Sequence, residues 1–232
     1  MRIMPSKGEQ VELFRYFLLI ALLYSLFIMD VKVQIMEHAL EYFGVITGLL
    51  YLWLEIKQHK AMWVVGFVSS LAYVFVFFFS KFYAVMTLNL YYVIMSVYGF
   101  ILWSQVKKGK GSEEVKVEES SILYHRIDWL VALICALVVL ALWGLIYFIL
   151  NDYTDSPVAV GDAFVTALSV VGTWLLAKRI LEHWCCWIVV NGVSIFLYYS
   201  QELYPTMFLY ICYTILSVFG LYNWSRKGVR IA

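Results

Sequence analysis

Apolar residues run along this chain in eight long blocks, at 12–29, 39–55, 62–80, 83–104, 128–150, 162–177, 184–200 and 204–224, separated by short polar breaks. Most are near the ~20 residues that a helix needs to cross a bilayer. The pattern therefore predicts eight membrane helices and an all-α, polytopic membrane protein with one membrane domain over 1–232. Arg2 and Lys7 precede the first block as they would in a signal peptide, but no small-x-small cleavage site follows FIMDV. The block is read as an uncleaved, extra N-terminal helix.

Composition narrows the class. The chain is 63% hydrophobic and only 14% charged, with a mean hydropathy of +0.81, where a soluble domain is roughly half apolar and about a quarter charged. A soluble globule, a disordered chain and a nucleic-acid binder are excluded. A net charge of +1 implies no polyanionic partner.

Where the charges lie sets an orientation. With eight spans, one side receives Arg2, Lys7, Arg15, Lys57, Lys60, Lys107, Lys108, Lys110, Lys116, Arg126, Lys178, Arg179, Arg226, Lys227 and Arg230, and the other only Lys32 and Lys81. The positive-inside rule then puts both termini in the cytoplasm. The mixed charges of 105–127 read as a solvated cytoplasmic linker rather than a binding tail.

Sliding the sequence along itself exposes a duplication: 41–104 aligns without a gap to 162–225, about one position in four being identical. Matched pairs include Trp53/Trp174, Trp63/Trp184, Trp103/Trp224, Tyr83/Tyr204, Tyr92/Tyr213, Ser96/Ser217 and Gly99/Gly220. Biased composition does not place three tryptophan pairs and two tyrosine pairs in one register. Repeat 1 (39–104) and repeat 2 (162–225) are separated by one linker helix (128–150), so the copies enter the membrane in the same direction. The expected architecture is a 3+1+3 core of two parallel three-helix repeats about a pseudo-twofold axis. In proteins so built, substrate binds near the midplane between the repeats.

The apolar cores of the spans hold no Asp, Glu, Lys, Arg or His. Intramembrane ionisable groups are the machinery of proton relays, so facilitation without coupling is the economical reading. Cys135, Cys185, Cys186 and Cys212 fall in apolar runs without metal-ligand spacing and read as small hydrophobes, with no disulfide, metal or cofactor expected. What remains is aromatic and weakly polar. Asn89, Tyr92, Ser96, Gly99 and Trp103 share one helical face, as do Tyr210, Tyr213, Ser217, Gly220 and Trp224. Another pair of faces carries Trp184, Trp187, Asn191, Ser194 and Tyr198, and Trp63, Gly66, Ser70, Tyr73 and Phe77. Polar groups left unpaired toward lipid cost several kcal/mol, so these faces point inward. Ser96, Gly99, Ser217 and Gly220 read as close-packing residues, and Trp103 and Trp224 as an interfacial belt. The candidate substrate site comprises Ser70, Tyr73, Asn89, Tyr92, Trp184, Trp187, Asn191, Tyr198, Gln201, Tyr210 and Tyr213.

The stretches NLYYVIMSVYGFILW (89–103) and WCCWIVVNGVSIFLYYSQELYPTMFLYICYTILSVFGLYNW (184–224) closely resemble PnuC, the bacterial nicotinamide riboside transporter family. The 3+1+3 plan also resembles the SWEET sugar transporters. The resemblance spans about 40–228. It implies a facilitator for nicotinamide riboside in the bacterial cytoplasmic (inner) membrane, with uptake made one-way by phosphorylation in the cytoplasm. It also implies a homo-oligomer, with a trimer as the suggested form. Some members carry a carboxylate where this chain has Asn191. The residues suit such a ligand: a cationic ring stacks on Trp and Tyr faces, and Asn89 and Asn191 offer paired donors and acceptors. Without the resemblance, a sugar or thiamine fits almost as well. A phosphate would lack its counter-charge. The rival reading is a membrane enzyme acting on a lipid or isoprenoid, built on His59, His183, Glu55 and Glu182.

Overall fold

The computed structural model describes residues 43–79, 83–105, 122–154 and 157–230; the block at 12–29 lies outside them. Seven helices occur among the described residues: α1 (Phe43–Ile56), α2 (Ala61–Phe79), α3 (Tyr83–Gln105), α4 (Trp129–Tyr153), α5 (Ala159–Ala177), α6 (His183–Ser200) and α7 (Tyr204–Lys227). Two short strands, β1 (Leu123–Tyr124) and β2 (Val229–Arg230), pair in parallel with Leu123 opposite Val229. Each helix falls on one of the apolar blocks. Five of them (α2, α3, α4, α5 and α7) are long and apolar enough to cross a membrane by themselves. The chain is a multi-pass membrane protein.

The helices end where backbone chemistry lets them. At the end of α1, Gln58 takes a left-handed φ of 52°, and the Gln58 and His59 N–H groups bond back to Glu55 and Leu54. Arg179 (φ 57°) does the same after α5, with Arg179 and Ile180 bonding to Leu176 and Leu175. Glu202 (φ 60°) repeats it after α6. These are Schellman ends, which satisfy the orphan carbonyls of a last turn. A proline in the first turn opens α7, where its missing N–H is no loss.

Within the unit Leu49–Ala232, α2 packs on α3, α6 on α7, and α5 on α4, α6 and α3. The main core lies toward one end of this array. It gathers Leu52, Leu54 and Ile56 of α1, Met62 and Trp63 of α2, Met95 and Trp103 of α3, Leu176 and Ala177 of α5, Trp184 of α6 and Trp224 of α7. α4 buries no residue and shows Leu133, Leu137, Leu140, Leu145 and Phe148 outward, the surface expected of a helix whose solvent is lipid.

Residues 121 apart make matching contacts. Trp103 Nε1 donates to the Ala177 carbonyl at 3.0 Å, and Trp224 Nε1 to the Ile56 carbonyl at 3.1 Å. Trp63 meets Trp103 edge-on at 5.5 Å between ring centroids, and Trp184 meets Trp224 likewise at 5.8 Å. The tryptophans at 103 and 224 are therefore not an interfacial belt. They are buried, and their indoles end other helices. The small-residue reading of Gly99 and Gly220 holds: a Cβ built on either would lie 2.4 Å from the ring of Trp63 or Trp184.

Candidate functional site

Away from that tryptophan layer, α2, α3, α5, α6 and α7 bring tyrosines together. Tyr198 of α6 lies 5.0 Å from Tyr210 of α7, and Tyr210 lies 5.7 Å from Tyr213 in an edge-on pair. Tyr92 of α3 interacts electrostatically with Tyr210, as Tyr73 of α2 does with Tyr213. The Tyr92 hydroxyl faces Ser169 of α5, and its neighbour Tyr91 donates to the Val170 carbonyl at 2.8 Å. Five helices thus contribute hydroxyls and ring faces to one region. On α6 and α7, the Asn191 amide donates to the Ser217 hydroxyl at 3.3 Å, and Ser217 donates in turn to the Tyr213 carbonyl at 2.8 Å. Among the described residues, every Lys and Arg (Lys57, Lys60, Arg126, Lys178, Arg179, Arg226, Lys227 and Arg230) lies at a helix end or in a connection. The tyrosine region has aromatic faces, hydroxyls and an amide, and no cation.

Of the residues singled out from sequence, Tyr73, Tyr92, Tyr198, Tyr210 and Tyr213 come together. Asn191 is buried and bonded across to α7. Ser70, its counterpart 121 residues earlier, is also buried. Others go elsewhere. The Asn89 amide bonds the Val85 carbonyl one turn back on its own helix at 2.9 Å. Gln201 caps α6, its amide 3.4 Å from the Leu197 carbonyl. Trp184 is fully buried, with its ring against Gly220, His183 and Trp224; those neighbours occupy the stacking surface it was expected to offer a ligand. Trp187 is half-buried with its indole nitrogen buried and unpartnered, close to the carboxylate of Glu55.

Sequence reasoning placed Glu55 and His183 at span ends, as material for the rival enzyme. In the structure they are buried, at 2% and 0% exposure, with Glu55 Oε1 3.2 Å from His183 Nε2. The signal for them is in the duplication: Glu55 aligns with Leu176 and His183 with Met62, so the two copies differ at both members of one pair. Tyr51, Tyr91 and Ser169 were also missed, because they lie outside the faces that the matched residues define.

Long apolar helices whose hydroxyls, aromatic rings and one amide gather in a single region, with no Lys or Arg there among the described residues, define a multi-pass membrane protein with a candidate polar site in its interior. The chain belongs to the nicotinamide mononucleotide transporter family, whose sequence model matches residues 38–226. It is 26% identical to the nicotinamide riboside transporter PnuC of Neisseria mucosa over 193 residues, covering 80% of this chain and 71% of that protein. The PnuC protein of Escherichia coli is 22% identical over 208 residues, covering 82% of this chain and 86% of its own. That of Haemophilus influenzae is 26% identical over 189 residues, 80% of this chain and 78% of its own. A crystal structure of the vitamin B3 transporter PnuC shares the fold, with a TM-score of 0.62 at 24% identity over 97% of this chain and 93% of that one. The likeness read from 89–103 and 184–224 therefore holds at the level of the family.

Proposed function

We propose that this protein carries nicotinamide riboside across the bacterial inner membrane by facilitated diffusion. The substrate binds at the tyrosine cluster, between two parallel three-helix repeats, α1–α3 and α5–α7, linked by α4. The repeats rock against one another to expose the site to each side in turn, and cytoplasmic phosphorylation of the product keeps uptake one-way. Both termini are cytoplasmic, and the molecule works as a homo-oligomer, by family likeness a trimer. No catalytic chemistry is assigned to it.

The observation that carries this reading is the character of the cluster. Tyr73, Tyr92, Tyr198, Tyr210 and Tyr213 supply ring faces and hydroxyls without a nearby cation. A cation over an aromatic face gains roughly 0.5–2 kcal/mol, which suits a pyridinium ring. The ribose hydroxyls and the carboxamide need donors and acceptors, which Asn191, Ser217 and the tyrosine hydroxyls provide. A phosphate calls for Arg or Lys, and the cluster has neither. The family's own description names the mononucleotide; the site's electrostatics favour the bare riboside.

Calorimetric titration of the detergent-purified protein with the riboside, its mononucleotide and thiamine tests the reading. Binding of the riboside alone, weakened about tenfold or more by Tyr210→Ala or Asn191→Ala through lost stacking and hydrogen bonds, is the expected result. Preference for the mononucleotide or for thiamine moves the substrate within the fold. Binding of none of the three sinks the assignment.

A further inference from the structure

Several polar links tie the first copy of the repeat to the second, and three of those at the end where α1 and α5 stop bear on how that end closes. Two are the matched indole bonds, Trp103 to the Ala177 carbonyl and Trp224 to the Ile56 carbonyl. The third, Glu55 of α1 to His183 of α6 at 3.2 Å, has no matched polar partner. At the equivalent positions stand Leu176 and Met62, both fully buried in the same core.

The chemistry of the third link is constrained. A carbonyl only accepts, so His183 Nδ1 donates to Ile180 at 2.6 Å and Nε2 faces Glu55. Neither Glu55 Oε1 nor His183 Nε2 finds hydrogen-bond geometry with any partner. In this dry core each group faces the other, at 3.2 Å, in place of the water it has lost. The pair is boxed in by aromatics: Trp184 at 4.7 Å and Trp224 at 4.9 Å from the imidazole, Trp187 near the carboxylate, and Tyr51 one turn earlier on α1.

Such a pair is a poor device for stability. Removing two ionisable groups from water is costly, and well-packed apolar residues of similar volume are often as good or better. Its effect on opening is the reverse. Parting an apolar seam exposes hydrocarbon to water, whereas parting an acid–base pair returns both groups to the solvent they lost. We propose that Glu55 and His183 form a releasable latch: they hold this end shut while lowering the free energy needed to open it, the matched Leu176 and Met62 forming the fixed side of the same closure. This rests on the alternating-access reading above.

The test copies the fixed side onto the latch, as the double variant Glu55→Leu/His183→Met. Three measurements are made: thermal unfolding, riboside binding by calorimetry, and riboside flux into proteoliposomes. The expected variant unfolds no lower than the wild type, binds riboside as before, and transports about tenfold more slowly, since it favours the closed state. Glu55→Gln, which keeps a polar group that water can reclaim, retains most of the flux. Wild-type flux in the double variant overturns the latch; so does failure to fold or bind, because the closed state should accept the apolar pair. Hydrogen–deuterium exchange over residues 54–63 and 175–184, with no substrate present, separates this from the substrate reading. Slower exchange in the double variant supports the latch even if riboside proves to be the wrong ligand, and unchanged exchange counts against it.

Discussion

At Gly99 and Gly220 the absent side chain is the structural feature. The rings of Trp63 and Trp184, at 1% and 0% exposure, lie where a Cβ would go, 2.4 Å from it, and a ring cannot yield as the end of a flexible chain can. Gly220→Ala should lower stability by about 1–3 kcal/mol through overpacking, seen as a lower unfolding temperature in detergent, with Gly99→Ala doing the same. The next residues in the chain of contacts are the ring partners, Trp103 and Trp224. Trp103→Phe keeps an aromatic six-membered ring but removes the pyrrole half of the indole, leaving the buried Ala177 carbonyl without its donor and some volume unfilled, a loss of about 1–3 kcal/mol or more; an unchanged unfolding temperature would mean that the bond contributes little. These residues were legible in part. The 121-residue register named Gly99/Gly220 and Trp103/Trp224 as pairs, and small residues were read correctly as packing. The tryptophans were read as an interfacial belt because position near a span end is all that sequence shows. What it does not show is which helix end lies opposite, and the Ala177 and Ile56 carbonyls come from elements more than 70 residues away. The candidate site was legible where hydroxyls and rings share a helix face, as with Tyr198, Tyr210 and Tyr213. It was not for Asn89, because a face says nothing about an amide that bends back to its own backbone.

The helices themselves were predicted closely: the blocks at 62–80 and 184–200 became Ala61–Phe79 and His183–Ser200, since lipid-length apolar runs bounded by polar residues leave little room for another structure. The ends were less legible, because three of the helices stop on left-handed residues that are not glycine. At Gln58 the side chain repays the strain, its amide donating to the Leu123 carbonyl at 2.6 Å and its oxygen accepting from the Leu123 N–H at 2.8 Å. Gln58 thus joins the end of α1 to β1, a side chain acting as a strand. At Arg179 the guanidinium lies over the ring of Trp103, 4.9 Å from its centroid, and burial lowers its pKa from the ordinary arginine value. Glu202 is exposed and carries the same backbone strain on a side chain turned to solvent. Glu202→Gly should therefore raise stability by about 1 kcal/mol, the usual penalty of a left-handed non-glycine residue. The corresponding change at Gln58 should destabilise, because both bonds to Leu123 are lost. Paired unfolding curves check the contrast, and equal effects at the two positions would refute this account of the helix ends.

Within the unit from Leu49 to Ala232, one set of contacts among the described residues gathers several chain segments at the basic end. Gln58 bonds Leu123, His125 bridges to Arg179 and Leu181, Glu182 holds Arg126 at 3.2 Å, and Val229 bonds Ile122. The ends of α1, α3, α5 and α7, the start of α6 and the connection 122–128 therefore share one side. All eight described Lys and Arg residues lie there: Lys57, Lys60, Arg126, Lys178, Arg179, Arg226, Lys227 and Arg230. The described residues at the opposite helix ends, around Phe79, Tyr153 and Glu202, include no Lys or Arg. Positive charge in short loops near span ends resists translocation, and this one-sided asymmetry is the physical ground for the proposed orientation, with the basic end in the cytoplasm. Under that orientation the Glu55–His183 pair lies toward the cytoplasmic face. A fluorescent protein fused after Arg230 should fold and fluoresce in intact bacteria, while alkaline phosphatase at the same position should stay inactive. Fusions in the turn around Glu202, cut at that point, should give the opposite pattern. Active phosphatase after Arg230 would invert the molecule, and the latch would then face outward and control entry of substrate instead of its release.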